Sequence, residues 1–304
     1  MLFKYWQYLK KPLLFISIFN LLCLNNVLAK KSPFLFQNTN NYRENFYGFS
    51  IPQDPNIKKW ITFFTSNRGK KIIQNWTGNS RKYFYFIEKS IKKNNLPLVL
   101  AYLPMIESGF YVHAHSSAGA VGYWQFMKPT AKRFNLKVSH WLDERKNIHK
   151  STIAALNYLK ILYKRFKKWE LALAAYNMGE NRLGRFIKKY KTTNYWELIN
   201  KPDFPKETKN YIPKLIAVSL VLQQSHLYGM NIKITSPKQK KFNYISIAGG
   251  TSLKNLANSL NVHSSYLKKI NPELKQFRIP HYVESYAVRI PPKSFKTIEN
   301  YFKK

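Results

Sequence analysis

From Asn56 to Gly229 the apolar residues recur three and four positions apart, and nowhere in that stretch do they alternate with a period of two. Only helices bury such a pattern on one face. Phe84, Ile87 and Ile91 mark one helical stripe, ended by Asn94-Asn95. Pro97 stands where proline is tolerated, in the first turn of a helix running toward Glu107, and Pro104 is expected to disrupt its last turn. A long helix is expected from about Asn147 to Phe166, with Ala155, Leu156, Leu159, Leu162, Tyr163 and Phe166 on its apolar face. Shorter helices follow over Glu170–Asn177 and Glu180–Tyr190, then one over Lys206–Tyr228, with Gly229 placed to close it.

Beyond Gly229 the character changes. Residues 231–241 hold Pro237 and four lysines and read as a linker. A strand (Phe242–Ile247), two helices (Ser252–Leu260 and Ser264–Ile270) and a closing strand (Tyr286–Ile290) follow, a β-α-α-β order for a second, small domain. The fold class is therefore mainly α. The expected organisation is an export signal over 1–29, a linker and helical extension over 30–79, an all-α domain over 80–230, the linker 231–241 and a βααβ domain over 242–304.

The first 29 residues carry Lys4, Lys10 and Lys11 ahead of an apolar run from Leu13 to Leu24, with the small-residue exit Val27-Leu28-Ala29. That is the layout of a secretory signal, and the run is short for a membrane span. Cys23, the only cysteine, lies inside it behind Leu22, where a lipoprotein signal would want a small residue. Cleavage after Ala29 leaves neither disulfide nor thiol chemistry. The chain carries 51 Lys+Arg against 14 Asp+Glu, but the positive charge is spread along it rather than gathered in one stripe. Together with the export signal this argues against a nucleic-acid partner.

One acid stands apart. Between Asn94 and Met127 the only formally charged residue is Glu107, although 21% of the chain is charged and a window of that length should carry about seven. Apolar surroundings, and the partial negative charge of a helix C-terminus, would both raise its pKa toward the range a general acid needs. On this window alone, a catalytic acid and a carboxylate capping a loop are equally well served. His113 and His115 lack the further ligands zinc would need, so no metal site is expected. Asp143 and Glu144 precede the long helix, where acids suit the local dipole, and are not read as a second catalytic pair.

Four stretches now stand in order: Glu107-Ser108; Gly122-Tyr123-Trp124-Gln125-Phe126-Met127; Ala174-Ala175-Tyr176-Asn177-Met178-Gly179; and Glu207-Thr208-Lys209-Asn210-Tyr211-Ile212-Pro213. This set resembles the soluble-lytic-transglycosylase-like domain. The resemblance implies a lysozyme-like α fold and a cell-wall lyase that cuts peptidoglycan glycan strands between N-acetylmuramic acid and N-acetylglucosamine. Glu107 would be its sole acid/base, leaving 1,6-anhydromuramoyl ends without using water. It further implies that Ser108 and Gln125 contact the sugar, that Tyr176 and Asn177 line the site, and that Tyr211 orients Glu107, while Glu207 serves structure. Tyr123 and Trp124 are left open between sugar stacking and packing, and Tyr123 departs from the leucine frequent in the family. No cofactor is implied. The protein is expected to be an exported, periplasmic monomer, with association with the outer membrane left open. The rival functions are a hydrolase like the goose-type lysozymes and a peptidoglycan-binding protein that has lost the chemistry.

The C-terminal segment resembles a degenerate LysM module, the small peptidoglycan-binding domain, in Thr251-Ser252-Leu253, Leu256-Ala257, Val262, Leu267, Asn271 and the strand from Tyr286 to Pro291. Gly249-Gly250 replaces the usual Gly-Asp and an insertion lies between Pro272 and Ser285. Glycan binding and a purely structural cap on the helical domain both remain readings of this segment.

Overall fold

The computed structural model describes residues 46–232, 234 and 242–294, all within one compact unit. The export-signal and Cys23 readings, and most of the 231–241 linker, lie outside the described residues. No helix among the described residues is long and apolar enough to cross a membrane.

Ten α-helices among the described residues build the larger lobe. Helix α1 (Pro55–Thr65) starts on Asp54, whose carboxylate accepts from the Asn56 amide, and has proline in its first turn. Ser66 then caps α2 (Asn67–Ser80), which is followed by α3 (Phe84–Lys93) with Phe84, Ile87 and Ile91 buried as the stripe requires. The segment toward Glu107 differs from the expectation. It runs as a 3₁₀ turn over Leu98–Tyr102 and becomes a true helix only in α4 (Leu103–Ser108). Pro104 therefore sits in the first turn of α4, where its missing N–H costs nothing, and does not break a last turn.

Helices α5 (Lys128–Arg133), α6 (Ile148–Phe166), α7 (Trp169–Met178), α8 (Glu180–Tyr190) and α9 (Tyr195–Leu198) follow, then α10 (Lys206–Gln223). Asn147 caps α6 by accepting from the His149 and Lys150 amides. Helix α10 stops at Gln223, short of the expected end, and the chain goes on as a 3₁₀ turn over Ser225–Tyr228 that Gly229 closes at φ +65°. Helices α1 and α7 pack against α10, which is buried along most of its length. Ahead of α1, Phe46, Tyr47 and Phe49 are buried, and the Tyr47 hydroxyl lies 2.9 Å from Ser219 Oγ of α10.

The smaller lobe has the expected element order: β1 (Asn243–Ala248), α11 (Leu253–Ser259), α12 (Ser264–Ile270) and β2 (Ser285–Ile290). The strands pair antiparallel, from Asn243 opposite Ile290 to Ala248 opposite Ser285. Ile245 and Ile247 alternate inward and pack with Leu253, Leu256, Leu267 and Val288.

One member of that core comes from the other lobe. Leu142 is fully buried in it and bridges to Leu274, while the Lys275 amide donates to the Trp141 carbonyl at 2.8 Å and the Asp143 amide to the Glu273 carbonyl at 2.8 Å. Beside this seam lies a polar network whose carboxylates, Glu144 and Glu273, have almost no access to water. Glu273 pairs with Arg289 and accepts from Asn147 Nδ2 at 2.7 Å, and Glu144 pairs with Lys150 and accepts from the Tyr286 hydroxyl at 3.0 Å. Charges so buried are tolerated only when paired, as Glu273 with Arg289 and Glu144 with Lys150 are, although Arg289 Nε finds no hydrogen-bond partner.

Candidate active site

Glu107 is held in the last turn of α4, behind the buried residues Leu103, Pro104 and Met105. Gly109 ends that turn at φ +60°, and a Cβ there would stand 2.6 Å from the indole nitrogen of Trp76. Only glycine meets both conditions, so the backbone leaves Glu107 at a fixed point.

The loop from Ala114 to Phe126 folds against this turn. Ser108 Oγ lies 3.0 Å from both the Pro104 and the Tyr123 carbonyls, which ties the end of α4 to the loop. Gly122, at φ +84°, approaches the Arg145 carbonyl so closely that a Cβ would come within 2.2 Å of its oxygen. The Arg145 guanidinium, itself paired with Asp143, donates to the Gly119 and Phe126 carbonyls at 3.1 Å each. Gln125 is strained at φ +48°, and its amide donates to the Gly122 carbonyl at 2.8 Å and more weakly to that of Ala114 at 3.3 Å. A non-glycine residue held in the left-handed region by its own side chain is the sort of strain found at functional sites.

Helices α7 and α10 supply the remaining groups. The Tyr211 hydroxyl donates to Glu107 Oε1 at 2.5 Å. The Tyr176 hydroxyl donates to the Trp124 carbonyl at 2.8 Å and lies near enough to feel the Glu107 charge. Asn177 is oriented on both sides, donating to Glu207 at 3.0 Å and accepting from the Thr208 hydroxyl at 2.7 Å. Glu207, an acid in the first turn of α10, thus holds Asn177 in place.

Glu107 is partly open to solvent yet ringed by protein. Burial is the largest influence on its carboxyl and raises the pKa to about 7; the Tyr211 hydrogen bond and the Lys214 cation pull it down, and the Glu207 charge adds a small push upward. Near neutral pH such a group both gives and accepts a proton. Burial and the Glu107 charge hold the Tyr211 and Tyr176 phenols far above their ordinary pKa, so both remain donors.

Of the residues singled out in the sequence, Tyr211 meets Glu107 directly, Tyr176 lies within reach of its charge, Ser108 and Gln125 stand on the adjoining turn and loop, and Asn177 follows Tyr176. Tyr123 and Trp124 resolve as packing. Trp124 is fully buried with its indole donating to Thr152, and Tyr123, 5% exposed, meets Tyr83 and Phe110 edge-on. Asp143 and Glu144 serve the loop and the seam between the lobes. Sequence reasoning passed over Trp60, Trp76 and Lys214. The Lys214 ammonium lies 5.6 Å from the ring centres of both tryptophans, and its charge lowers the pKa of Glu107. A lysine three residues beyond Tyr211, and so on the same helical face, was the one signal available.

Residues 84–199 match the family model described as "Transglycosylase SLT domain". Over 230 residues the chain is 33% identical to membrane-bound lytic murein transglycosylase D of Escherichia coli K12, covering 74% of this chain and 49% of that protein. Over 118 residues it is 36% identical to peptidoglycan transglycosylase gp16 of Escherichia phage T7, covering 37% of this chain and 8% of that one. A solved structure of an inactive mutant of lytic transglycosylase Slt from Pseudomonas aeruginosa aligns with a TM-score of 0.38 and 20% identity, over 50% of this chain and 25% of that one. The chain thus spans about half the length of the lytic murein transglycosylase it matches.

Proposed function

We propose, from the match of residues 84–199 to the family described as transglycosylase SLT domain, that the chain is a peptidoglycan lytic transglycosylase with Glu107 as its single acid/base. The observation that carries the proposal is the neutral-poised carboxyl of Glu107 held by the Tyr211 hydroxyl. Because Tyr211 donates to Oε1, the proton of the neutral acid resides on Oε2, the oxygen left for the reacting bond. Glu107 gives that proton to the oxygen bridging N-acetylmuramic acid and N-acetylglucosamine as the bond from that oxygen to the muramic C1 breaks. The resulting carboxylate then takes the proton of the muramic C6 hydroxyl, whose oxygen closes on C1 as a 1,6-anhydro ring. Atoms balance without water, and Glu107 ends in the state in which it began. Hydrolysis by the usual route would require a second carboxylate across the sugar.

In this scheme Tyr176 and Asn177 line the sugar site, the latter fixed by Glu207 and Thr208. Gln125 meets the sugar through its amide oxygen, since its nitrogen already serves the loop. Ser108, its hydroxyl proton engaged by backbone carbonyls, offers the sugar an acceptor. The names of the relatives support murein as the polymer, and the export layout of residues 1–29 supports action in the periplasm. The βααβ lobe, read as LysM-like, is assigned to contact with the same polymer.

Purified sacculi incubated with the wild-type protein should release muropeptides one water lighter in mass than those with reducing ends, and Glu107→Gln should release none above background. Reducing ends in place of anhydro ends would instead make the protein a hydrolase. Binding to sacculi without release would leave only a binding protein.

A further inference from the structure

A lysine and two tryptophans meet outside the span that matches the family. Trp60 comes from α1, Trp76 from α2 and Lys214 from α10, whereas the family match covers 84–199. Their arrangement is fixed from several directions. The Trp60 indole donates to Asn210 Oδ1 at 3.1 Å and meets Phe63 edge-on. Trp76 packs edge-on to Phe64 and fills the space that the missing side chain of Gly109 leaves open. Both rings face the Lys214 ammonium at 5.6 Å, a distance at which the negative faces of the indoles attract a cation. The clamp therefore holds a positive charge where water reaches it poorly, next to the one carboxyl the chemistry uses.

We infer that Lys214, clamped between Trp60 and Trp76, is a positioning residue that stabilises the Glu107 carboxylate in the interval between its two proton transfers. The inference rests on the transglycosylase reading of Glu107. The groups acting on that carboxyl are Lys214, Tyr211 and Glu207, all from α10, and it in turn acts on the Tyr176 phenol of α7. Trp76 ties Lys214 to the Glu107 turn, since its indole nitrogen stands 2.6 Å from where a Gly109 Cβ would lie and its ring centre 5.6 Å from the Lys214 ammonium, and Tyr211, three residues before Lys214, reaches Glu107 directly. Burial lowers the Lys214 pKa, and the Glu107 and Glu207 charges work against that and favour the cation. Tyr211 occupies the direct hydrogen bond, so Lys214 acts through space. A lysine in direct contact would fix Glu107 as an anion and deprive it of the proton it must donate. A cation at one remove eases formation of the anion and still leaves the acid able to take its proton back.

The test is a titration of the Glu107 carboxyl by ¹³C NMR in the full chain, its signal assigned by its absence from Glu107→Gln. It is run on the wild type, Lys214→Met and Lys214→Arg, beside kcat and KM on purified sacculi as a function of pH. Lys214→Met should move the Glu107 titration upward by about one pH unit, as expected for loss of an opposite charge nearby. It should also lower kcat up to about tenfold with KM unchanged, and Lys214→Arg should restore most of both. Should Lys214→Met fail to fold, Lys214→Gln replaces it. An unmoved titration, or a rise in KM at unchanged kcat, overturns the inference. If the wild type does not turn over sacculi, the transglycosylase reading fails, while the titration still reports whether Lys214 acts on Glu107.

Discussion

Glu107 is easier to bury neutral than charged, and the sign of that preference is measurable. In the folded protein its pKa is about 7, against an ordinary value of 4.5. The folded state therefore holds a proton that the unfolded chain has already released between these values. The stability this contributes is complete below about pH 4.5, falls as pH rises through 7, and is absent above. Glu107→Gln removes the titration, so its stabilising effect should reach about 1–2 kcal/mol at pH 8, allowing for the partial exposure of the carboxyl, and be roughly a quarter as large at pH 5. Thermal melts of the two proteins at both pH values check this, and a gain of equal size at both would contradict it. Glu107 could be picked out in the sequence because an acid alone among 33 uncharged neighbours is conspicuous. Tyr211 emerged only through resemblance, since a tyrosine on an amphipathic helix carries no mark of its partner 104 residues away. Lys214 gave less still: its spacing three residues beyond Tyr211 is a weak signal in a chain with 51 Lys+Arg, and the two tryptophans from separate helices meet around it only in the fold.

At the level of the element, α10 shows how a flaw is covered. Pro213 lies inside it, two residues beyond Tyr211, and cannot donate to the Lys209 carbonyl one turn back. The buried Tyr195 hydroxyl comes to that region from α9, 2.9 Å from the Thr208 carbonyl and 3.3 Å from that of Lys209. Tyr195→Phe should therefore cost about 1 kcal/mol in urea unfolding with an unchanged m-value, because one net hydrogen bond is lost and no surface is newly exposed. No loss would mean that the Tyr195 hydroxyl contributes nothing to α10. The helices themselves were readable from their three-and-four spacing, as α3 and α6 show. The break within 97–108 was not, because the apolar run from Leu96 to Ile106 suits a 3₁₀ turn and an α-helix equally and the change falls between Tyr102 and Leu103.

Across the whole molecule, the two lobes are joined by more than the chain that runs between them. Arg289 and Glu273 are 1% and 0% exposed, and Glu273 also reaches Asn147 at the start of α6. Arg289→Met leaves the Glu273 charge buried without its partner and should cost about 3–5 kcal/mol. Because the network spans both lobes, calorimetry should show a single transition shifted to lower temperature. A second, separate transition for the small lobe would show that the lobes fold independently. None of this junction was legible beforehand, since Leu142 and Glu144 join partners more than 100 residues away, and period and composition report only local order.

The shared core also bears on how a shortened protein should be judged. Cutting the chain after residue 241 would strip the cover from Leu142, leave the Glu144 carboxylate without Tyr286, and deprive Asn147 of Glu273 just where α6 begins. Weak activity in such a fragment would thus report damage to the larger lobe before it reported anything about the small lobe's own role. An assay of the small lobe's own contribution is better made by surface substitutions that keep the chain whole.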